Sequence, residues 1–179
     1  ERHQAALRQH CESDSNMVLA ARTKNKGQRR ILFIEDRTPH FWLGSGFPRA
    51  RAMILALLKQ GYFVTLYPLT DFNEDWATAY SDMPRDLEIM MDFGPALLEA
   101  FLRNRTGYYD SIIVSRPHNM NTFARVLLSY PQWFENVSLI YDAEALFVSR
   151  EIGVRHLTGN ALSNEDADKL VKEEIALAS

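Results

Sequence analysis

Apolar residues change their spacing along this chain, and each change marks an element. Ile31-Leu32-Phe33-Ile34 is an unbroken apolar run ending in Glu35-Asp36, the pattern of a strand buried on both faces of a parallel sheet. After a loop over 37–47 that contains Pro39, Gly44 and Gly46, residues Ala50, Met53, Ile54, Leu57 and Leu58 recur at helical spacing. Pro48 suits the first turn of that helix, where its missing N–H costs nothing, and Gly61 suits its end. Tyr62 to Leu69, rich in aromatic and β-branched residues, predicts a second strand. The unit then repeats. A third strand is expected over 87–93 and a helix over 95–105 with Leu97, Leu98, Phe101 and Leu102 inward. A fourth strand follows over 111–115, then a helix marked by Phe123, Val126, Leu127 and Tyr130, and a fifth strand over 137–141. Ser163-x-x-Asp166 resembles a capping box, opening a helix that turns Ala167, Leu170, Val171 and Ile175 to one side. Strands alternating with helices predict an α/β, Rossmann-like fold with a mainly parallel sheet flanked by helices. Residues 31–179 would form this domain, and 1–30 a helical extension ending in a basic linker with Lys24, Lys26, Arg29 and Arg30.

Composition narrows the class of protein. Hydrophobic residues make up 46% and charged residues 24%, the mix of a globular protein with a sizeable core. A net charge of −3 and a pI near 6.0 argue against a nucleic-acid partner, which asks for clustered Lys and Arg. The single cysteine, Cys11, allows no internal disulfide and points to a reducing cytoplasm. The longest apolar run, Met53 to Leu58, is far short of the ~20 residues of a membrane span. A cytoplasmic location is expected, with the inner face of the membrane as an alternative place of work.

In an open parallel sheet, ligands bind beyond the carboxyl ends of the strands. That rule selects four loops: 36–48, 69–75, 115–121 and 142–150. Gly44-Ser45-Gly46 precedes a helix N-terminus, whose N–H groups and partial positive charge can hold phosphate. It is neither G-x-G-x-x-G, since Arg49 stands at the third glycine, nor a P-loop; the other reading is glycines that only turn the chain. Arg116-Pro117-His118-Asn119 brings an imidazole and a guanidinium to the same edge. His118 there suits contact with sugar hydroxyls or stabilisation of negative charge on oxygen, against a purely structural role. Asp142 and Glu144, two apart, suit acid–base work if they point the same way; the alternative is capping of backbone N–H groups. His3, His10, His40 and His156 are scattered and no cysteine pair or H-E-x-x-H exists, so no metal is expected.

Three stretches taken together resemble family-4-type glycosyltransferases: Ile31-Leu32-Phe33-Ile34-Glu35-Asp36-Arg37-x-Pro39 running on to Gly44-Ser45-Gly46-Phe47-Pro48-Arg49-Ala50, then Tyr109-Asp110-x-Ile112 through Asn119, then Ile140-Tyr141-Asp142-Ala143-Glu144 through Arg150. The closing Glu173-Glu174-Ile175-Ala176-Leu177-Ala178 resembles the helix before that family's next strand. The resemblance implies the N-terminal, acceptor-side half of a two-domain GT-B enzyme that moves a sugar from a nucleotide-sugar donor to a glycan, lipid-linked or small-molecule acceptor. It further implies retention of configuration, no metal or other cofactor, and a donor-binding domain elsewhere in the same polypeptide, without which this part is inactive. By carry-over, Gly44, Ser45 and Gly46 would approach the donor diphosphate and His118 the transferred sugar as the catalytic contact, with Arg116, Asn119, Asp142 and Glu144 as binding residues. Gly-Ser-Gly departs from relatives with two adjacent glycines.

Two other classes fit parts of the pattern. A phospho-receiver would use Glu35 and Asp36 as an acidic pocket and Asp92 as phospho-acceptor, but the lysine it needs after the fifth strand is replaced by Tyr141-Asp142-Ala143. A non-catalytic Rossmann-type binding domain is compatible with the fold alone.

Overall fold

Five parallel strands run through the middle of the molecule in the order β3-β2-β1-β4-β5, a computed structural model describing residues 27–44, 46–70, 73–143 and 147–177. The strands are β1 (Arg30–Glu35), β2 (Phe63–Pro68), β3 (Glu88–Ile89), β4 (Ser111–Ser115) and β5 (Ser138–Asp142). The helices are α1 (Phe47–Lys59), the single turn α2 (Trp76–Ala79), α3 (Leu98–Asn104), α4 (Pro117–Ser129), α5 (Phe147–Leu157) and α6 (Asn164–Ala176). Short 3-10 turns, Pro95–Leu97 and Pro131–Phe134, lead into α3 and out of α4. The expected N-terminal helix, with Cys11, Lys24 and Lys26, lies outside the described residues. Among the described residues no helix is long and apolar enough to cross a membrane.

β1 is the centre of the sheet, pairing with β2 from Arg30↔Phe63 and with β4 from Ile31↔Ser111. Its unbroken apolar run feeds two cores because successive side chains point to opposite faces. Ile31 and Phe33 pack with Ala50 and Ile54 of α1, Ala79 and Met83. Leu32 and Ile34 pack with Leu98, Phe101 and Leu102 of α3, Phe123 of α4 and Phe134. The sheet is thus covered on both sides, and α1 and α4 lie on opposite faces.

Local chemistry explains the boundaries. Gly61, at φ 87°, closes α1 with a Schellman pair: its N–H donates to Leu58 O at 3.0 Å and Tyr62 N–H to Leu57 O at 3.1 Å. Ser163 caps α6 by accepting from Asp166 N–H at 3.1 Å, while its hydroxyl donates to the Asp166 carboxylate at 2.6 Å. Several expectations are corrected. β3 spans two residues rather than 87–93, because Asp92 (φ 65°) and Gly94 (φ 56°) turn the chain away. Leu97 and Ile175 are exposed; on α6 the inward place belongs to Glu174, whose carboxylate accepts from Val148 N–H at 2.8 Å in the first turn of α5. The stretch 115–121 is no loop: α4 begins at Pro117, so His118 and Asn119 sit in its first turn. Helix α5 likewise begins inside the expected loop 142–150.

Candidate functional site

The connection after β1 leads to α1 on one face, and the connection after β4 leads to α4 on the other. β1 and β4 are neighbours, so their carboxyl ends flank the topological switch point, where a crevice opens in folds of this kind. The residues at that point are Glu35, which ends β1, with Asp36 after it, and Ser115, which ends β4, with Arg116, His118 and Asn119 after it.

They form one network. Arg116 Nε donates to Glu35 Oε1 at 2.6 Å and lies 3.4 Å from Asp36 Oδ2. His118 Nε2 stands 2.5 Å from Asp36 Oδ1, and Asn119 Nδ2 donates to the same oxygen at 2.8 Å and to Ser115 O at 2.8 Å. Asp36 is therefore the hub, and it holds the His118 ring by one nitrogen. Glu35, Asn119 and Arg116 are buried, whereas the His118 side chain is 56% exposed. Two buried acceptor oxygens, Glu35 Oε2 and Asn119 Oδ1, have no hydrogen-bond partner among the described residues. In a folded protein such groups ask for a water or a ligand donor.

The chain takes an unusual path to build this. Arg116 has φ 76° and ψ 147°, outside the comfortable range of an L-residue, at a cost of order 1–3 kcal/mol. That turn lets Pro117 start α4 directly off the strand end. Arg116 N–H donates to Asp142 O at 2.9 Å, and its guanidinium lies 4.3 Å over the Phe47 ring. Strain here is held in place by contacts to three other segments.

Electrostatics separate the two carboxylates. Burial pushes the Glu35 carboxyl up, and its bonds from Asp36 N–H and Arg116 only partly oppose this. Burial also works to raise Asp36, but the hydrogen bond and charge of His118, with help from Asn119 and Arg116, hold it below the usual carboxylate range. His118 is raised in turn, chiefly by its hydrogen bond to Asp36, against partial burial. The imidazole thus keeps its proton to higher pH than an isolated histidine, which suits it to donate to an anionic oxygen.

Next to His118 lies a groove of about 390 Å³ between α4, α5 and α6, with Asn121, Val148, Leu170 and Glu174 among its walls. That volume falls in the ~300–1,000 Å³ range of small-molecule sites.

The glycine loop reaches the switch point through Phe47, which lies under the Arg116 guanidinium. Gly46 caps α1 in the left-handed region, φ 82°, where a side chain would be strained. Among the described residues no side chain caps this helix end, and no acid stands in its first turn. Gly44 has open space around the position of a Cβ, so its backbone is approachable. Phe47 touches Arg116, and Arg49 Nη1 of the first turn donates to Asp142 Oδ2 at 2.5 Å. These contacts tie the helix N-terminus to the ends of β4 and β5. Of the expected site residues, Arg116, His118 and Asn119 share one cluster, Gly46 joins it through its neighbour Phe47, and Asp142 joins it through Arg116 and Arg49. Ser45 and Glu144 lie outside the described residues, so the pairing of Asp142 with Glu144 has no geometry to judge. Asp142 faces a cation instead.

No family model, no curated protein and no solved structure matches this chain. The reading of the site therefore rests on its own geometry.

Sequence reasoning missed the roles of three groups. Glu35 and Asp36 were visible as acids ending a parallel strand, but their role as the hub depends on Asn119 and His118, more than 80 residues away. His40 is not a scattered surface histidine. It is fully buried, its Nε2 2.9 Å from Glu74 Oε1 and its Nδ1 bonded to the Asp82 carboxylate. Arg51 Nε donates to Asp82 at 2.9 Å, and the Trp42 ring stacks on the imidazole at 4.2 Å. This second cluster pins the loop after β1 to the segment before β3. Among the described residues no group of three or more His, Cys, Asp and Glu is placed to hold a metal ion.

Proposed function

We propose that this chain is the acceptor-side domain of a GT-B glycosyltransferase, which moves a sugar from a nucleotide-sugar donor to a hydroxyl acceptor. The observation that carries the reading is the Asp36–His118 pair at the switch point: a half-exposed imidazole, oriented by a carboxylate, on the border of a groove of ligand size. Sugar transfer leaves negative charge on the departing diphosphate, and groups that already point at that charge lower the barrier most. His118, whose imidazole keeps its proton to higher pH beside Asp36, is one such donor, and the glycine-capped start of α1 is another. Both stand at the carboxyl edge of the sheet, and a second domain of the same polypeptide would close over that edge, grip the nucleotide and keep water out. The resemblance in the three stretches around β1, β4 and β5 agrees with this arrangement and adds retention of configuration and independence from metal ions.

The strand order speaks against the receiver reading. A receiver sheet runs 2-1-3-4-5, which sets the third strand beside the first. In this chain β2 lies between β1 and β3, so Asp92 stands one strand removed from the Asp36 pocket.

The test uses the full-length protein and a panel of nucleotide-sugars, with release of nucleoside diphosphate as the signal. Turnover is expected, and His118→Ala should lower kcat/KM by roughly 10²–10⁴-fold. Undiminished turnover in that variant would remove His118 from the chemistry. No turnover with any donor in the panel would remove the enzyme.

A further inference from the structure

A second, smaller cavity opens at the same edge of the sheet, away from the His118 groove. It lies past the ends of β1, β2 and β3 and encloses about 30 Å³, room for one or two water-sized groups. Its polar lining is Arg37, Thr38, Thr70, Asn73, Glu74 and Asp92. Thr38 is completely buried, and its hydroxyl has no hydrogen-bond partner among the described residues. A buried hydroxyl left this way costs about 1–3 kcal/mol, so the protein bears a penalty there that an incoming polar group would cancel.

The backbone around the cavity is strained as well. Three non-glycine residues of the described chain have positive φ, namely Asn73 (52°), Asp92 (65°) and Arg116 (76°). Arg116 belongs to the switch point, and the other two both line this cavity, as does Gly94 at φ 56°. Strain of this sort gathers where a surface is shaped for a ligand rather than for its own stability. The walls are also stiff. Glu74 accepts from Arg37 at 3.3 Å and meets the buried His40 at 2.9 Å, so the cavity leans on the second ionic cluster.

We infer that this cavity seats a hydroxyl-bearing end of a neutral, carbohydrate-like acceptor, an assignment that rests on the sugar-transfer reading and narrows its substrate class. The lining selects that chemistry. A carboxylate or phosphate pushed into it would meet Glu74 and Asp92, and an ammonium would have to compete with Arg37, already paired with Glu74 at 3.3 Å. A hydroxyl both donates and accepts, so it can satisfy Thr38 and bond a carboxylate at once. The small volume admits a single hydroxyl or hydroxymethyl group, while the rest of the acceptor extends along the sheet edge toward the switch point.

The experiment measures binding of glucose, mannose, N-acetylglucosamine and myo-inositol to the full-length protein by ligand-observed NMR, beside glucuronate and glucosamine as charged comparators. At least one neutral probe should bind more tightly than both charged ones. Thr38→Val, which keeps the shape and deletes the hydroxyl, should weaken it about tenfold with the melting temperature unchanged or raised. Thr38→Ser should keep the affinity. A fall in melting temperature with binding intact would make the hydroxyl structural and overturn the proposal, as would equal binding of all probes by the valine variant and the wild type. Binding that Thr38→Val abolishes, without nucleotide-sugar turnover, would keep the cavity and discard the sugar-transfer reading. Turnover whose acceptor KM is untouched by Thr38→Val would keep the reading and discard the cavity.

Discussion

Two histidines follow the first strand and its neighbour, and each is held by carboxylates, yet they serve opposite ends. His40 is completely enclosed, bridged between Glu74 and Asp82, with Trp42 stacked on its face. His118 is bonded to Asp36 and leaves more than half of its side chain open beside a groove. The same pair of residue types builds a clamp in one place and a reactive edge in the other. What separates them is how many of the ring's surroundings the protein itself occupies. A ring enclosed by two acids and an indole has its partners and shape settled; a ring with more than half of its side chain exposed presents a surface to a ligand.

That contrast can be broken by substitution, and the largest effect is expected at the arginine that anchors the open cluster. Arg116→Ala removes the cation from the buried Glu35 and should cost about 3–5 kcal/mol, read as a shift in the denaturant midpoint. His40→Ala should come next, at about 3 kcal/mol, since it leaves a hole and two largely buried carboxylates without their bridge. His118→Ala should change stability by less than about 1 kcal/mol while abolishing most turnover. If His118→Ala unfolded the protein and His40→Ala left it intact, the roles assigned to clamp and edge would be reversed.

The smallest effect is in pH dependence, and it sharpens the comparison. Asp36 is depressed in the folded protein, so its contribution is complete above the ordinary carboxylate value of 3.8 and fades as pH falls through the lower folded value. His118 is raised, so its contribution is complete below the ordinary imidazole value of 6.5 and fades as pH climbs through the higher folded value. The pair should therefore support the fold most between about pH 4 and 6.5. Subtracting the melting curve of His118→Ala from that of the wild type across pH should show a modest plateau in that window. A flat difference would mean the two groups do not share a proton balance.

Much of the architecture can be read from the chain because it rests on local rules. The apolar run of β1, the helical spacing in α1 and the glycine that ends it all act over a few residues, and all appear where expected. The start of α4 was equally legible: Pro117 stands one residue past Arg116 just as Pro48 stands early in α1, and the same rule would have put His118 on a helix. The candidate site was legible only by halves. Arg116, His118 and Asn119 announce themselves as polar residues after a strand, but their partners Glu35 and Asp36 lie over 80 residues earlier, and only strand order brings them together. His40 was not legible at all. Its partners, 34 and 42 residues away, sit in segments with no periodic pattern, so no local signal distinguishes it from a surface histidine.

The backbone turn at Arg116 has an evolutionary corollary. Glycine would relax its dihedral angles but reach neither Glu35 nor Phe47, while lysine or glutamine could stretch toward them and would inherit the same contorted main chain. Each of these replacements either gives up the contacts or keeps the strain, so the position is a local optimum. Drift should reach it last, after the surrounding loops have already diverged.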